Sequence, residues 1–405
     1  MKRRSPFAIY AGFTLSVLGA IIFNIGGIFA GRTAVLLQNL QSFLPWVILI
    51  YPLLLTVRGD INGILTGKLG TALHLGTITP TWRKNTNRFF HLIGLIFSLS
   101  LYDSVIVGLV ASIIGLLLKL PISFLDVVVI SVTTFIIGAL ISMVLTFSLT
   151  FWIYKKKGDP DVYAYPIMSS VNDILITITF FATCWFYRPW ELNVKLDSFV
   201  GIPFISIVTI AVLIFLGMNF KHNYIKQGIL QALPTLTLTS FIAAGTGIVL
   251  ASFQGILEQA QILLVFYPAV ISTVGAQGSI LANTTTTKLH LGTIKPSLSF
   301  FKTQNFSINY LGLITSGFIM GLIYSILGTI ILPEGFIGSV YFKFLLILVL
   351  TNFIAFSIIG LIAITAAFLT YKSGLDPDNL VNPLLSSTAD LITTSILVLS
   401  YIIIF

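Results

Sequence analysis

The stretch Asp-Pro-Asp-Val-Tyr-Ala-Tyr-Pro-Ile-Met-Ser-Ser-Val-Asn-Asp, residues 159–173, has a counterpart in Asp-Pro-Asp-Asn-Leu-Val-Asn-Pro-Leu-Leu-Ser-Ser-Thr-Ala-Asp, residues 376–390. In both copies a proline follows the second aspartate by five residues, and the last aspartate follows that proline by seven. An Asp-Pro start suits the N-cap and first turn of a helix. The motif therefore predicts two equivalent apolar helices that each carry one deep aspartate, Asp173 and Asp390.

The composition places these helices in a membrane. Hydrophobic residues make up 56% and charged residues 9% of the 405 residues, which leaves too little polar surface to cover a soluble fold of this length. The single cysteine, Cys184, excludes an intramolecular disulfide and a thiolate metal site. We predict an all-α polytopic membrane protein whose surroundings are the lipid bilayer.

Eleven apolar segments are long enough to cross a bilayer. They fall at about 9 to 30, 43 to 65, 89 to 118, 123 to 153, 161 to 187, 201 to 219, 228 to 251, 261 to 284, 306 to 332, 340 to 370 and 380 to 405. The first segment follows a short basic start without an evident cleavage site, so we interpret it as a transmembrane helix and not as a signal peptide. The loops are too short for a separate soluble domain.

A second duplicated pattern divides the chain into two related halves. Tyr51-Pro52 precedes Leu-His-Leu-Gly-Thr-Ile-Thr-Pro at 73–80, and Tyr267-Pro268 precedes Leu-His-Leu-Gly-Thr-Ile-Lys-Pro at 289–296. The offset between the copies is 216 residues here and 217 at the aspartate motif. The predicted organisation is a five-helix repeat, a linker with one transmembrane helix, and a second five-helix repeat, at residues 1–188, 189–224 and 225–405. Because five is odd, the extra crossing makes the repeats parallel, related by a pseudo-two-fold axis along the membrane normal.

Basic residues predict the orientation through the positive-inside rule. With a cytoplasmic N-terminus, the outside receives only Arg32, Lys119, Arg188, Lys195 and Lys343. The other Lys and Arg residues, among which we count Arg58 and Lys68, are assigned to the cytoplasmic side. The chain is expected to be a multi-pass protein of the cell membrane with its C-terminus outside. Its net charge of +9 then reflects topology, and no nucleic-acid partner is expected.

Oxygen-bearing side chains line one face of each motif helix, because residues three, four and seven apart share a helical face. These residues are Ser169, Ser170, Asp173 and Thr177 in the first copy and Ser386, Ser387, Asp390 and Thr394 in the second. Asp173 lies about 20 Å along the helix from its start, so capping does not explain it, and an ionisable group at that depth indicates a functional site. We predict that Asp173 and Asp390 hold a metal cation. The alternative is a neutral aspartate hydrogen-bonded to its serines for helix packing.

The outer aspartates of the motif have a different predicted role. Asp159, Asp161, Asp376 and Asp378 begin the two helices, where a carboxylate favours the positive end of the helix dipole. Capping alone would explain them. We also expect them to form a cytoplasmic mouth that attracts cations.

The second helix of each half carries further candidate metal ligands, Asp60, Asn62 and Gln277. They lie among glycines that permit close helix contact, so packing is an equally good explanation. Asp60 has no acidic counterpart, because Ala276 occupies its place. Asp103, in the third helix, either lines one half of a pathway or pairs with a polar neighbour.

In these motifs the sequence resembles the MgtE-type magnesium channels. The shared features are the Asp-Pro-Asp start, the proline and Ser-Ser ahead of a membrane aspartate, and Gly59-x-x-Asn62-Gly63 after a proline-containing second helix. The two-repeat single chain is similar to the solute-carrier magnesium transporters and their prokaryotic relatives. The resemblance implies a Mg²⁺ pathway between the halves, with Asp173 and Asp390 facing a hydrated ion.

The resemblance also sets limits. MgtE channels usually carry a cytoplasmic N-domain and CBS domains, of which this sequence shows no counterpart, so their gating is not carried over. A fused pair of repeats is expected to function as a monomer.

The chemistry of the candidate ligands agrees with transport of Mg²⁺, a hard octahedral ion that retains much of its water. The same oxygens would accept Mn²⁺ or Co²⁺, whereas a soft site for zinc or copper lacks its ligands. We expect a transporter and not an enzyme. The alternatives are an intramembrane aspartyl hydrolase, which also needs two carboxylates, and a carrier of organic solutes, which needs a bulkier cavity. A channel and an exchanger coupled to Na⁺ or H⁺ would use the same oxygens, so the sequence predicts transport without distinguishing these two modes.

Overall fold

The computed structural model describes residues 5–38, 40, 44, 46–120, 124–187, 207, 210, 222–253, 261–290, 292–331, 338–375 and 377–405. The regular structure within these residues is helical. The helices are α1 (Pro6–Ile21), a 3₁₀ turn (Ile22–Gly26), α2 (Gly27–Gln38), α3 (Val47–His74), α4 (Asn87–Leu117), α5 (Phe124–Lys155), α6 (Pro160–Tyr187), α7 (Asn223–Ser252), α8 (Gln261–His290), a 3₁₀ turn (Leu298–Lys302), α9 (Gln304–Ile331), α10 (Gly338–Lys372) and α11 (Pro377–Ile404).

Ten helical spans in the described residues are long and apolar enough to cross a membrane, with α1 and α2 counted as one span. They coincide with ten of the eleven predicted segments, which confirms, for the part of the chain that the structure describes, an all-α fold with multiple membrane-spanning helices. The predicted linking helix at 201 to 219 lies almost entirely outside the described residues. The eleven-helix count, the repeat boundaries and the parallel orientation of the repeats stay predictions. The central helices α3 and α8 are longer than predicted and continue to His74 and His290.

Helices α3 and α8 form the centre of the bundle. Nearly every residue of both helices is buried, and an apolar helix that is buried on all sides belongs to the interior of a bundle. The outer helices expose large apolar side chains, such as Leu117 on α4, Trp152 on α5 and Phe342 on α10. Exposed apolar side chains of this kind are expected on the outside of a bundle whose helices cross a membrane.

The first span of each half packs against the other half. Helix α2 contacts α8 and α1 contacts α9, while α7 contacts both α3 and α4. Hydrogen bonds join the same pairs, from Tyr10 to Thr315 at 2.7 Å and from Tyr102 to Thr237 at 2.7 Å. The two halves are therefore interlocked.

The motif helices α6 and α11 begin at Pro160 and Pro377, as the Asp-Pro pattern predicts, because a proline in the first turn loses no hydrogen bond. Each of them contacts both α3 and α8. Asp173 and Asp390 lie halfway along these helices. The fold therefore places both deep aspartates against the two central helices.

Candidate cation site

Asp173 and Asp390 line the same cavity, which lies between α3, α6, α8 and α11. The cavity has a volume of about 290 Å³, its open end included, and is lined by Leu55, Arg58, Gly59, Tyr165, Ser169, Asp173, Ile271, Ser272, Gly275, Ser386 and Asp390. The two serines Ser169 and Ser386 occupy equivalent positions of the duplicated motif. The structure thus brings together four of the predicted site residues, two carboxylates and two hydroxyls.

Each deep carboxylate accepts a hydrogen bond from the central helix of the other half. The Thr56 hydroxyl of α3 donates to Asp390 Oδ2 at 2.5 Å, and the Ser272 hydroxyl of α8 donates to Asp173 Oδ2. Thr56 and Ser272 are 216 residues apart, the offset of the repeat in this region. Sequence reasoning missed both, although each hydroxyl comes four residues after the duplicated proline, Pro52 or Pro268.

Thr177 and Thr394 fix the backbone beside the carboxylates. Thr177 Oγ1 donates to the backbone oxygen of Asp173 at 2.5 Å, and Thr394 Oγ1 donates to that of Asp390 at 2.6 Å. The same hydroxyls meet Tyr51 at 3.3 Å and Tyr267 at 3.1 Å. These threonines therefore tie each motif helix to a tyrosine of a central helix, and they do not line the cavity of the two aspartates.

Arg58 lies inside the bundle and forms an ion pair with Asp173, with 2.5 Å between Nη2 and Oδ1. Its side chain is 7% exposed, so the prediction that counted Arg58 among the cytoplasmic basic residues is wrong. The available signal was its position within the predicted apolar segment at 43 to 65. A buried carboxylate stabilises a guanidinium there through charge and hydrogen bonding.

Ser170 and Ser387, which follow the cavity serines, turn to other partners. Ser170 Oγ donates to Asn24 Oδ1 at 2.6 Å, and Ser387 Oγ lies 3.2 Å from both carboxylate oxygens of Asp60. Asp60 is fully buried. Asp60 and Ser387 thus form a polar contact between α3 and α11 beside the cavity, not on its lining.

Asp103 pairs with a polar neighbour, which is one of its two predicted roles. Its Oδ1 accepts a hydrogen bond from Ser240 of α7 at 3.4 Å. This contact lies at the interface between α4 and α7, one of the interfaces that interlock the halves.

Asn62 and Gln277 lie away from the two deep aspartates. Asn62 lines a second cavity, between α3, α4 and α5, and its Oδ1 accepts from Thr146 at 3.4 Å. Gln277 donates to the Leu313 carbonyl at 2.7 Å and accepts from Asn352 Nδ2 at 2.9 Å. Both ends of the Gln277 amide are thereby engaged in helix packing.

Of the four outer aspartates, only Asp159 has a described side chain. It is exposed immediately before α6, and its Oδ1 lies 3.6 Å from His74 Nε2 at the end of α3. The side chains of Asp161, Asp376 and Asp378 lie outside the described residues, so the predicted cytoplasmic mouth stays a prediction.

The ligands in the cavity fit a hydrated ion better than a dehydrated one. Within the described part of the chain, no group of three or more His, Cys, Asp or Glu side chains is placed to hold a metal ion. The cavity instead offers two carboxylates and serine hydroxyls, an oxygen set that could hold a partly hydrated divalent cation.

A comparison with protein families identifies relatives of both halves of the chain. The profile of the MgtE family, described as divalent cation transporters, matches the chain twice, over residues 51–183 and 267–400. The two matches confirm the internal repeat, cover more than half of the chain and include both deep aspartates. A search of curated proteins found no match. The chain therefore belongs to the MgtE family of divalent cation transporters.

Proposed function

We propose that this protein moves Mg²⁺ across the membrane through the cavity between its halves, with Asp173 and Asp390 facing the ion. Family membership supports divalent cation transport and a role other than catalysis. The observation that carries the finer proposal is the shared cavity, which is lined by one deep carboxylate from each half. Lipid surrounds the outer helices, and the ion crosses at the protein's centre.

The charge of the cavity favours a dication. The two carboxylates that face the cavity repel each other, Arg58 offsets only one of their two charges, and a dication between them would neutralise both. Hydroxyl groups at Ser169 and Ser386 can bind the waters of a hydrated ion, so complete dehydration is not required. The same oxygens would accept Mn²⁺ or Co²⁺, and Mg²⁺ is the preferred cargo because it tolerates a site with so few direct ligands.

The two alternative functions receive less support. If the chain were an aspartyl hydrolase, it would be expected to match a family of enzymes, but the family that it matches consists of transporters. An organic-solute carrier would need a pocket of about 300–1,000 Å³, whereas the cavity beside Asp173 reaches only about 290 Å³ with its open end included. Uptake of Mg²⁺ with and without imposed Na⁺ and H⁺ gradients would separate channel activity from exchange.

Asp390→Asn is expected to reduce Mg²⁺ uptake at least tenfold. The substitution removes one of the two negative charges while keeping the volume and an acceptor for the Thr56 hydroxyl. Uptake is measured in proteoliposomes with a Mg²⁺-sensitive dye inside, at equal amounts of reconstituted protein. Asp126→Asn at the start of α5 is the matched control and should transport like the unmodified protein. Unreduced uptake by Asp390→Asn would remove this aspartate from the pathway.

A further inference from the structure

The cavity that we assign to Mg²⁺ already contains a cation that belongs to the protein. Arg58 lines this cavity together with Asp173 and Asp390, and its Nη2 is bonded to Asp173 Oδ1 at 2.5 Å. Ser272 and Thr56 donate neutral hydroxyls to Asp173 Oδ2 and Asp390 Oδ2. The guanidinium is thus the charged partner of Asp173 at the position where a transported cation would be held.

The two halves differ at this point. With the offset of 216 residues, the position of Arg58 corresponds to Val274, so the repeat supplies a guanidinium to the cavity from the first half only. The two carboxylates and Arg58 carry a net charge of −1. Replacing the guanidinium by Mg²⁺ makes the cavity neutral, whereas holding both cations there gives a net positive charge in a buried site.

Only one of the three guanidinium nitrogens of Arg58, Nη2, has a hydrogen-bond partner among the described residues. Its Nε and Nη1 are buried and have no hydrogen-bond partner among the described residues. Most buried donors are paired, so a buried guanidinium with free donors is incompletely fixed in this position. A single bonded nitrogen leaves the rest of the side chain available for a second set of partners.

A second place for the guanidinium lies next to the first. Arg58 also lines the neighbouring cavity between α3, α4 and α5, with Asn62, Ser100 and Ser142. Asn62 is one helical turn from Arg58 on the same face of α3, and its Oδ1 accepts only a long hydrogen bond of 3.4 Å from Thr146. This amide oxygen is a suitable acceptor for the displaced guanidinium.

We propose that Arg58 is a tethered counter-cation, which occupies the ion site when no cargo is bound and which incoming Mg²⁺ displaces toward Asn62. This inference rests on the proposed function. Mg²⁺ binds only to molecules in which Arg58 has left the site. The apparent Kd for Mg²⁺ is therefore the intrinsic Kd divided by the fraction of such molecules, so the apparent affinity is weaker than the intrinsic one. The tether also keeps Asp173 paired between transport cycles, so the empty site is stable without a metal.

The test compares Mg²⁺ uptake in proteoliposomes by the unmodified protein, Arg58→Gln and the control Lys68→Gln. Lys68 is a second buried cation on α3, outside the cavity. We expect Arg58→Gln to lower the half-saturating Mg²⁺ concentration at least tenfold and Lys68→Gln to leave it unchanged. In detergent with EDTA, Arg58→Gln should unfold at a lower temperature, and added Mg²⁺ should raise its Tm more than that of the unmodified protein.

Asn62→Leu provides a test in the opposite direction, and it remains available if Arg58→Gln fails to fold. Without the amide, the displaced guanidinium has a poorer destination, so the half-saturating Mg²⁺ concentration should rise at least threefold. Unchanged half-saturation in Asn62→Leu, or uptake by folded Arg58→Gln with unchanged or weaker Mg²⁺ dependence, would overturn the inference. Failure of the proposed function gives a different result, because the unmodified protein would then not transport Mg²⁺ or Asp390→Asn would transport it normally.

Discussion

Asp173→Asn is expected to destabilise the folded protein by about 3–5 kcal/mol, which is the typical effect of removing one partner of a buried ion pair. Asp173 and Arg58 are 2% and 7% exposed, so the guanidinium left behind cannot reach bulk water. Asp390→Asn should cost less than about 1 kcal/mol, because the bonded partner of Asp390 is the neutral Thr56 hydroxyl and an amide oxygen accepts the same bond. The same Asp→Asn substitution is thus expected to lower the stability of the protein by different amounts at two equivalent positions of the duplicated motif.

Thermal unfolding of the purified protein in detergent with EDTA measures this difference. The double variant Asp173→Asn with Arg58→Gln should recover most of the lost stability, because it contains no unpaired guanidinium. Equal Tm values for Asp173→Asn and Asp390→Asn would show that the buried Arg58 does not need the charge of Asp173 for its stability. The comparison needs no transport assay, so it is independent of the proposed cargo.

Gly31→Val is expected to prevent the chain from reaching its folded state, with a cost of about 3 kcal/mol or more. Gly31 of α2 lies directly on the backbone of α8, and a Cβ atom at this position would overlap the Val265 carbonyl. The obstacle is backbone and not a flexible side chain, so relief requires moving α2 away from α8. Gly27, one turn earlier, faces the Ala269 backbone in the same way.

The yield of monodisperse protein after size-exclusion chromatography in detergent measures the effect of Gly31→Val. Gly19→Val is the matched control, because Gly19 lies on the same span and a Cβ there has no neighbouring atom within 4 Å in the described residues. We expect near-normal yield for the control and almost none for Gly31→Val. Normal yield for both variants would mean that α2 does not pack on α8 in this way.

The duplicated motif correctly predicted which residues line the centre of the site, but it did not predict what the neighbouring residues of the same helical face contact. Asp173, Asp390, Ser169 and Ser386 could be named because they repeat at one spacing on one helical face, and all four line one cavity. The same face also predicted Ser170, Ser387, Thr177 and Thr394, whose hydroxyls bond elsewhere. A helical periodicity identifies a face, but it does not distinguish the neighbour that each residue of that face meets.

The residues of α3 show what a one-dimensional rule misses. Counting basic residues by side treated Arg58 as a cytoplasmic charge, although it lies within an apolar segment. The positive-inside rule applies to loops and helix ends, and a basic residue near the middle of a span falls outside its scope. Thr56 and Ser272 were missed because hydroxyl side chains are common in transmembrane helices. Neither residue stands out before its hydrogen-bond partner is known.

The sequence by itself determined the membrane location, the two-fold duplication and the pair of deep aspartates, because composition, spacing and helical periodicity are properties of the chain. The tertiary structure alone decided that both carboxylates face one cavity, that each receives a hydroxyl from the other half, and that the first span of each half packs against helices of the other half. It also decided that Arg58 pairs with Asp173. The hydrogen bonds among them join residues separated by 99 positions or more, such as Ser272 and Asp173 or Thr56 and Asp390. No local pattern specifies which helices meet across a bundle.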